Sequence, residues 1–282
     1  MSTGITTLTV TSPSGETLQD FLASRIGLSK NKAKALLDSR SVLVNRRRVW
    51  MARHTVRRGD VVEVMAQPAS ATATGEPAIE VLVEVNDFLV VDKPAGLLAN
   101  GPHSVETRLR AERSEPSIRA AHRLDRDTSG CLLIARNPAA FDGAVAMFRE
   151  RDVGKSYRAI VAGRMGPGSR DISFPLDGLT ARTRVSVISS AREASYLAVE
   201  IETGRTHQIR RHLAMVGHPV LGDRQHWTRR AVSDRQVAVA RQMLHARELL
   251  LPNPVEGTVL HAVAPLPLDF VERLRRFGLR DG

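Results

Sequence analysis

The eleven residues from Gln67 to Pro77, QPASATATGEP, contain no large apolar side chain. Such a segment has nothing to contribute to a packed core, and its Ala, Thr and Pro content suits an exposed connection. It divides the 282-residue chain into a small N-terminal part and a remainder of about 205 residues, both within the usual span of domain sizes. The apolar fraction of 42% is ordinary for a globular chain, so each part can build a core. The expected boundaries are 15–66 for the first domain, 67–77 for the linker and 78–282 for the second domain.

The formal net charge of +11 is not ordinary. It favours a polyanionic partner, for which nucleic acid is the usual candidate, although arginine-rich genomes produce the same balance without one. The single cysteine, Cys131, excludes an internal disulfide framework and any multi-cysteine zinc site. No stretch approaches the roughly 20 apolar residues of a membrane span. The N-terminus also lacks the basic-then-apolar pattern of a secretory signal, so a cytoplasmic location without a membrane partner is expected.

In the small part, Leu18, Phe21, Leu22 and Ile26 recur at helical spacing. Ser29 suits the N-cap of a second helix through Leu36 and Leu37, with Lys30, Lys32 and Lys34 nearby. Short β-like runs follow at Val42–Val44 and Val61–Val64, the latter entered through Gly59-Asp60. Seven arginines fall between Arg40 and Arg58, with carboxylates almost absent among them. A solvated charged face is the bland explanation, but charge of one sign attracts phosphate. The run from TLQDFLA through LSKNKAKALLDSR and VLVNRRRV to RGDVVEV resembles the S-four-type RNA-binding domain, named after the ribosomal protein. It departs from that pattern at Arg40-Ser41 and at Arg46, where Gly is usual. The resemblance implies RNA contacts from Lys30, Lys34, Arg46, Arg47 and Arg48.

The larger part mixes strands and helices without a regular βαβ repeat. Ile79–Val85 and Phe88–Val91 form an expected hairpin around Asn86-Asp87. Gly130–Ala135 is an apolar strand, and Asn137-Pro138 opens a helix whose core face is expected to carry Phe141, Val145 and Phe148. Lys155–Val161, Arg184–Ile188 and Leu197–Ile201 are further strands, and Thr206–Val216 is a helix. No Gly-rich nucleotide-cofactor loop appears. The expected fold class is α+β: a small helix-hairpin RNA-binding domain, then a larger domain on a largely antiparallel mixed sheet with flanking helices.

Chemistry concentrates in His122-Arg123-Leu124-Asp125-Arg126-Asp127-Thr128-Ser129-Gly130, directly ahead of the apolar strand. Loops at strand ends commonly display functional side chains. Alone, an Asp between arginines is more often a structural ion pair than a catalyst. His207 and His212 stand five apart and do not share a helical face as an i,i+4 pair would, so no metal site is expected. His207 is expected to orient its loop or to be structural.

The run HRLDRDTSG resembles the catalytic motif of the RluA-type pseudouridine synthases. The resemblance continues in order through VDKPAGL at Val91–Leu97, VGKSYRAIVAG at Val153–Gly163, GRTHQIRRHLAMVGHPVLGD at Gly204–Asp223 and LHA at Leu244–Ala246. It covers nearly the whole larger part. Two departures stand out: Leu98-Ala99-Asn100-Gly101 where Val-His-Pro is common, and Arg224-Gln225-His226-Trp227 where the pattern usually reaches a Tyr-Gly pair.

The resemblance implies an isomerase that converts uridine in RNA to pseudouridine without a cofactor. Asp125 would be the reactive carboxylate, attacking either the sugar or the ring, and Arg205 its partner. Tyr157 would pack on the uracil and take part in proton transfer. Leu244 would line the base pocket, and Arg123 would contact RNA beside the flipped nucleotide. Ribosomal RNA of the large subunit is favoured over transfer RNA, acted on by a monomer. The competing classes are a non-catalytic RNA-binding or ribosome-assembly factor, against which the intact set of Asp125, Tyr157 and Arg205 argues, and a hydrolase using Asp125 and Asp127, which has no second supporting motif.

Overall fold

The computed structural model describes residues 5–11, 15–26, 30, 33–34, 37, 42–45, 47–49, 51–65, 78–226, 239–252 and 259–281. Ser29, Leu36, Arg46, the linker 67–77 and Trp227 lie outside the described residues, as do the side chains of Arg47 and Arg48. The chain divides into two compact units, Met1–Glu76 and Pro77–Gly282.

In the first unit, helix α1 (Leu18–Ile26) buries Leu18, Phe21 and Leu22 completely. Thr17 starts it, its hydroxyl accepting the Asp20 amide at 3.1 Å and donating to the Asp20 carboxylate at 2.7 Å. Strands β1 (Ile5–Thr9), β2 (Val42–Val44), β3 (Arg47–Arg48) and β4 (Val61–Met65) form an antiparallel sheet in the order β1-β4-β2-β3. The β2–β3 turn needs a left-handed residue and uses Asn45, at φ 51°. The Asn45 side chain then ties the turn to the start of β4, donating to Asp60 at 2.8 Å and accepting from the Val61 amide at 2.9 Å. Strand β1 lies ahead of residue 15, so the unit reaches further toward the N-terminus than the sequence boundary. Ala33, Lys34 and Leu37 are helical, with Ala33 and Leu37 buried against this core.

In the second unit, β5 (Glu80–Val85) and β6 (Phe88–Lys93) make the expected hairpin, turning through Asn86 at φ 49°. Its remaining strands are β7 (Arg119–Ala120), β8 (Ser129–Ala135), β9 (Gly154–Ala162), β10 (Ser169–Ile172), β11 (Thr183–Ser190), β12 (Ala194–Ile201), β13 (Leu244–Pro252) and β14 (Val259–Val263). The sheet runs β10-β11-β12-β9-β13-β8-β6-β5, with β14 on β13 and β7 on β8. Its pairs are antiparallel except that β13 and β8 run parallel. The sheet is therefore largely antiparallel and mixed, and the fold class is α+β.

Strand alternation divides the apolar side chains between two faces. Leu89, Val91, Leu132 and Ile134 enter one core, while Phe88, Val90, Cys131 and Leu133 enter another. Helices α2 (Val105–Arg113), α3 (Pro138–Glu150), α4 (Gln208–Met215) and α5 (Leu268–Arg276) flank the sheet. Asn137 caps α3, accepting the Ala140 amide at 2.8 Å. Val145 departs from the expected core face of α3. Ala144 is the buried residue there, with Phe141, Met147 and Phe148 packed around it, and Val145 is 40% exposed. Helix α4 begins at Gln208 rather than Thr206 because His207 is left-handed, at φ 53°.

Candidate active site

Asp125 sits in the loop between β7 and β8, and three sets of bonds hold that loop. The Lys93 side chain, fully buried at the end of β6, donates to the carbonyls of Pro94 at 2.9 Å, Leu97 at 2.7 Å and Arg126 at 2.9 Å. Burial pushes its pKa down to about 7, while the charge of Asp127 acts the other way. Gly96 and Arg126 are paired twice more, amide to carbonyl at 2.8 Å and guanidinium to carbonyl at 2.9 Å. From the other side, Gln242 donates to the Thr128 hydroxyl at 2.6 Å, and Ser129 bonds His245 at 2.9 Å. Gly130 closes the loop at φ 108°, where a Cβ would collide with the Ala246 carbonyl of the neighbouring strand β13.

The opposite wall is the loop 202–207, organised by Gln208 at the start of α4. The Gln208 carbonyl oxygen accepts from the Thr203 hydroxyl at 2.7 Å and the Arg205 amide at 3.0 Å. Its amide nitrogen donates to the Arg182 carbonyl at 2.8 Å. His212, also buried, bonds Thr183 and the Phe174 carbonyl, each at 2.9 Å. Gln208, rather than His207, thus orients this loop.

Between the walls lies a cleft of about 530 Å³ lined by Arg123, Asp125, Tyr157, Arg205, His207 and Leu244, among others. Tyr157 on β9 and Leu244 on β13 are buried in its floor, and Arg123 is exposed at its rim. Burial, reinforced by the charge of Asp125, raises the Tyr157 pKa, so the phenol keeps its proton. Val145 lines the same cleft from α3.

The partner of Asp125 differs from the expectation. Arg210 donates to the Asp125 carboxylate at 2.8 Å, and its other two donors grip Asp223 at 2.6 and 2.9 Å. Arg205 instead directs Nε to the Thr180 carbonyl at 3.2 Å while lining the cleft. The reason is helical geometry: Arg210 lies in the first turn of α4, with its side chain buried, whereas Arg205 precedes the helix. Burial disfavours the Arg210 charge, but the bonds and charges of Asp223 and Asp125 outweigh it and raise its pKa. Burial likewise pushes Asp223 up, and Arg210 with the amides of Gln225 and His226 outweighs it, leaving the Asp223 pKa lowered.

Lys93, Gln208, Arg210, Asp223 and His226 are the site residues missed in the sequence. Signals existed for two of them. An Arg-Arg pair between Ile209 and Leu213 must turn one guanidinium toward the protein, and Asp223 ends the apolar run Val220-Leu221. The basic residues Lys30 and Lys34 belong to the first unit. Lys30 pairs with Asp20 at 2.8 Å and Lys34 is exposed. Among the described residues, no group of three or more His, Cys, Asp or Glu could hold a metal ion, and no helix is long and apolar enough to cross a membrane.

The profile of the family described as RNA pseudouridylate synthase matches residues 87–215. Ribosomal large subunit pseudouridine synthase D of Yersinia pestis is 31% identical over 290 residues, covering 91% of this chain and 87% of the relative. Ribosomal large subunit pseudouridine synthase C of Vibrio cholerae is 29% identical over 294 residues, covering 93% of each. Among solved structures, human RNA Pseudouridylate Synthase Domain Containing 4 matches with a TM-score of 0.61 at 26% identity, over 72% of this chain and 94% of that one.

Proposed function

Because this chain belongs to the RluA-type family of RNA pseudouridine synthases, and is itself an RNA-modifying isomerase, we propose that Asp125 is its reactive carboxylate and large-subunit ribosomal RNA its substrate. The observation that carries the first part is the Asp125 carboxylate, held by Arg210 at 2.8 Å in a cleft shared with Tyr157 and Leu244. The names of the Yersinia and Vibrio relatives support the second.

The reaction breaks the bond from the sugar to N1 of uracil, turns the base, and joins the sugar to carbon five. The proton on carbon five is lost and N1 gains one, so the product is an isomer and no oxidant or cofactor enters the balance. A carboxylate serves by attacking the sugar or the ring. The base must first leave its stack, at a cost of a few kcal/mol, and stacking on the Tyr157 ring offsets roughly 1–3 kcal/mol of it. Leu244 lines the pocket for the base, Arg205 contacts the substrate from the opposite wall, and Arg123 meets the RNA beside the vacated position. The first unit serves as an S-four-type RNA-binding module through Lys34 and its arginines.

The test is Asp125→Asn, which removes the reactive charge and little volume. Tritium release from carbon five of a labelled large-subunit ribosomal RNA transcript should cease, with RNA affinity retained. Sustained turnover by the purified variant would remove Asp125 from the mechanism. Loss of pseudouridine from that RNA in a strain lacking the gene identifies the substrate; loss from transfer RNA alone would reassign it.

A further inference from the structure

His226 lies in the four-residue stretch where the sequence departs from the family pattern, yet it is built into the site. The Asp223 carboxylate that grips Arg210 also accepts the amides of Gln225 at 3.0 Å and His226 at 3.2 Å. That turn delivers the His226 ring to His207, with Nε2 of His226 at 2.9 Å from Nδ1 of His207 and the rings nearly perpendicular, at 69°. The other nitrogen of His207, Nε2, faces Oδ1 of Asp125 at 3.8 Å. Oδ2 of the same carboxylate is the atom bonded by Arg210. The contacts therefore close a ring: Asp125, Arg210, Asp223, His226, His207 and back to Asp125.

We propose that His226 is a positioning residue for the reaction, fixing the tautomer of His207 that presents Nε2–H to the Oδ1 side of Asp125. A bond between two neutral imidazoles needs one donor and one acceptor. If His207 donated from Nδ1, its bare Nε2 lone pair would face a carboxylate oxygen, which is repulsive. If His226 donates, Nδ1 of His207 accepts and Nε2–H points at Asp125, which is attractive. The second arrangement wins on electrostatics. Burial lowers the pKa of both rings and so favours their neutral forms. The charges facing them are Asp125 and Asp223 on one side and Arg123, Arg210 and Arg211 on the other, a positive excess that also disfavours a proton on either ring. At 3.8 Å the contact is longer than a hydrogen bond and is a charge–dipole interaction. It aims the carboxylate from the side that Arg210 does not reach.

The proposal rests on Asp125 being the reactive carboxylate, and its test separates the two. Long-range proton–nitrogen correlation spectra of the full-length protein read the tautomer without any turnover. The wild type should show His207 protonated at Nε2 and bare at Nδ1; the opposite tautomer would overturn the proposal, whatever Asp125 does. His226→Leu should disturb that tautomer and slow single turnover of the labelled large-subunit transcript roughly 10- to 100-fold, the cost of loosening a group beside the reacting atoms. Its RNA affinity should be unchanged. His226→Gln, whose amide can still donate to Nδ1, should restore most of the rate. A Leu variant as fast as wild type, or a Gln variant as slow as Leu, would also overturn the proposal. A fully active Asp125→Asn would instead discard the reading beneath it.

Discussion

Arg57 and Arg210 carry the same guanidinium into different surroundings. Arg53, Arg57 and Arg58 in the first unit are exposed, and a water-facing cation of this kind interacts through a field that salt screens within about 10 Å. Arg210 in the second unit is 7% exposed and bonds two carboxylates, so it is screened little and cannot be removed without leaving those carboxylates behind. The first arrangement suits contact with any phosphate backbone; the second fixes the position of the Asp125 carboxylate. The comparison teaches that the net charge of +11 is no guide to catalysis. Exposed arginines carry a field that reaches outward, whereas the charge of Arg210 is met by the carboxylates of Asp125 and Asp223.

The largest break in this comparison is Arg210→Met. Removing one partner from a buried charge network costs about 3–5 kcal/mol, because the remaining charge is left uncompensated. The unfolding midpoint should fall by roughly 10 °C or more, and turnover should be lost with the aim of Asp125. Adding Asp223→Asn should recover part of the midpoint and none of the turnover. Full recovery of activity in the double variant would mean that Arg210 serves only to neutralise Asp223.

Tyr157 comes next, since its ring and its hydroxyl can be separated. Tyr157→Phe keeps the stacking surface and removes the phenol, whose proton is held in place by burial beside Asp125. Single turnover should fall by about 10²–10⁴-fold if proton transfer passes through that oxygen, with RNA affinity retained. Tyr157→Ala should lose both. A Phe variant close to wild-type rate would restrict the residue to stacking.

The motifs made the site legible because each is a contiguous run whose residue types show in one dimension. HRLDRDTSG placed Asp125 in a loop ahead of a buried strand, and the structure has it there. Pairings between motifs were not legible. Arg205 and Arg210 stand in one motif, and the choice between them depends on where the helix starts, which the left-handed backbone at His207 shifts by two residues. Lys93 is the same kind of case: nothing in VDKPAGL says that its ammonium will be buried under a loop 33 residues away. Val145 had the right spacing for a core face, but α3 lies beside the cleft and leaves it open to that side.

Two histidines of the second unit, His245 buried and His122 half-buried, extend the comparison to pH. Burial lowers the pKa of His122 to about 3 and that of His245 to about 4, from an ordinary value of 6.5. His122 also accepts the Leu133 amide at 3.0 Å through Nε2, which requires the neutral ring. With folded pKa values depressed, the unfolded chain binds protons first as pH falls below 6.5, so stability is complete above that value and is lost toward about 4. Denaturant midpoints measured between pH 7.5 and pH 4.5, roughly the window in which ordinary histidines charge, should fall on the acid side. His245→Asn should flatten that dependence. An unchanged slope in the variant would mean that His245 takes its proton in the folded state.

The smallest effect on the fold should come from the exposed cations. Arg53, Arg57 and Arg58 changed together to Gln should move the unfolding midpoint by no more than surface substitutions do, about ±0.5 kcal/mol each. Single turnover at saturating protein should also be unaffected, because the cleft lies in the other unit. What should change is the salt dependence of RNA binding. Each phosphate contact releases counterions and contributes about 0.7–0.9 to the slope of log affinity against log salt, so three lost contacts lower it by roughly 2–3. The loss should be the same for matched and unrelated RNA, since phosphate carries no sequence information. Lys30→Gln should add less than Lys34→Gln, because Asp20 already pairs with Lys30 at 2.8 Å. A triple variant with the wild-type slope would show that these arginines do not meet phosphate, and the contrast with Arg210 would then be one of burial alone.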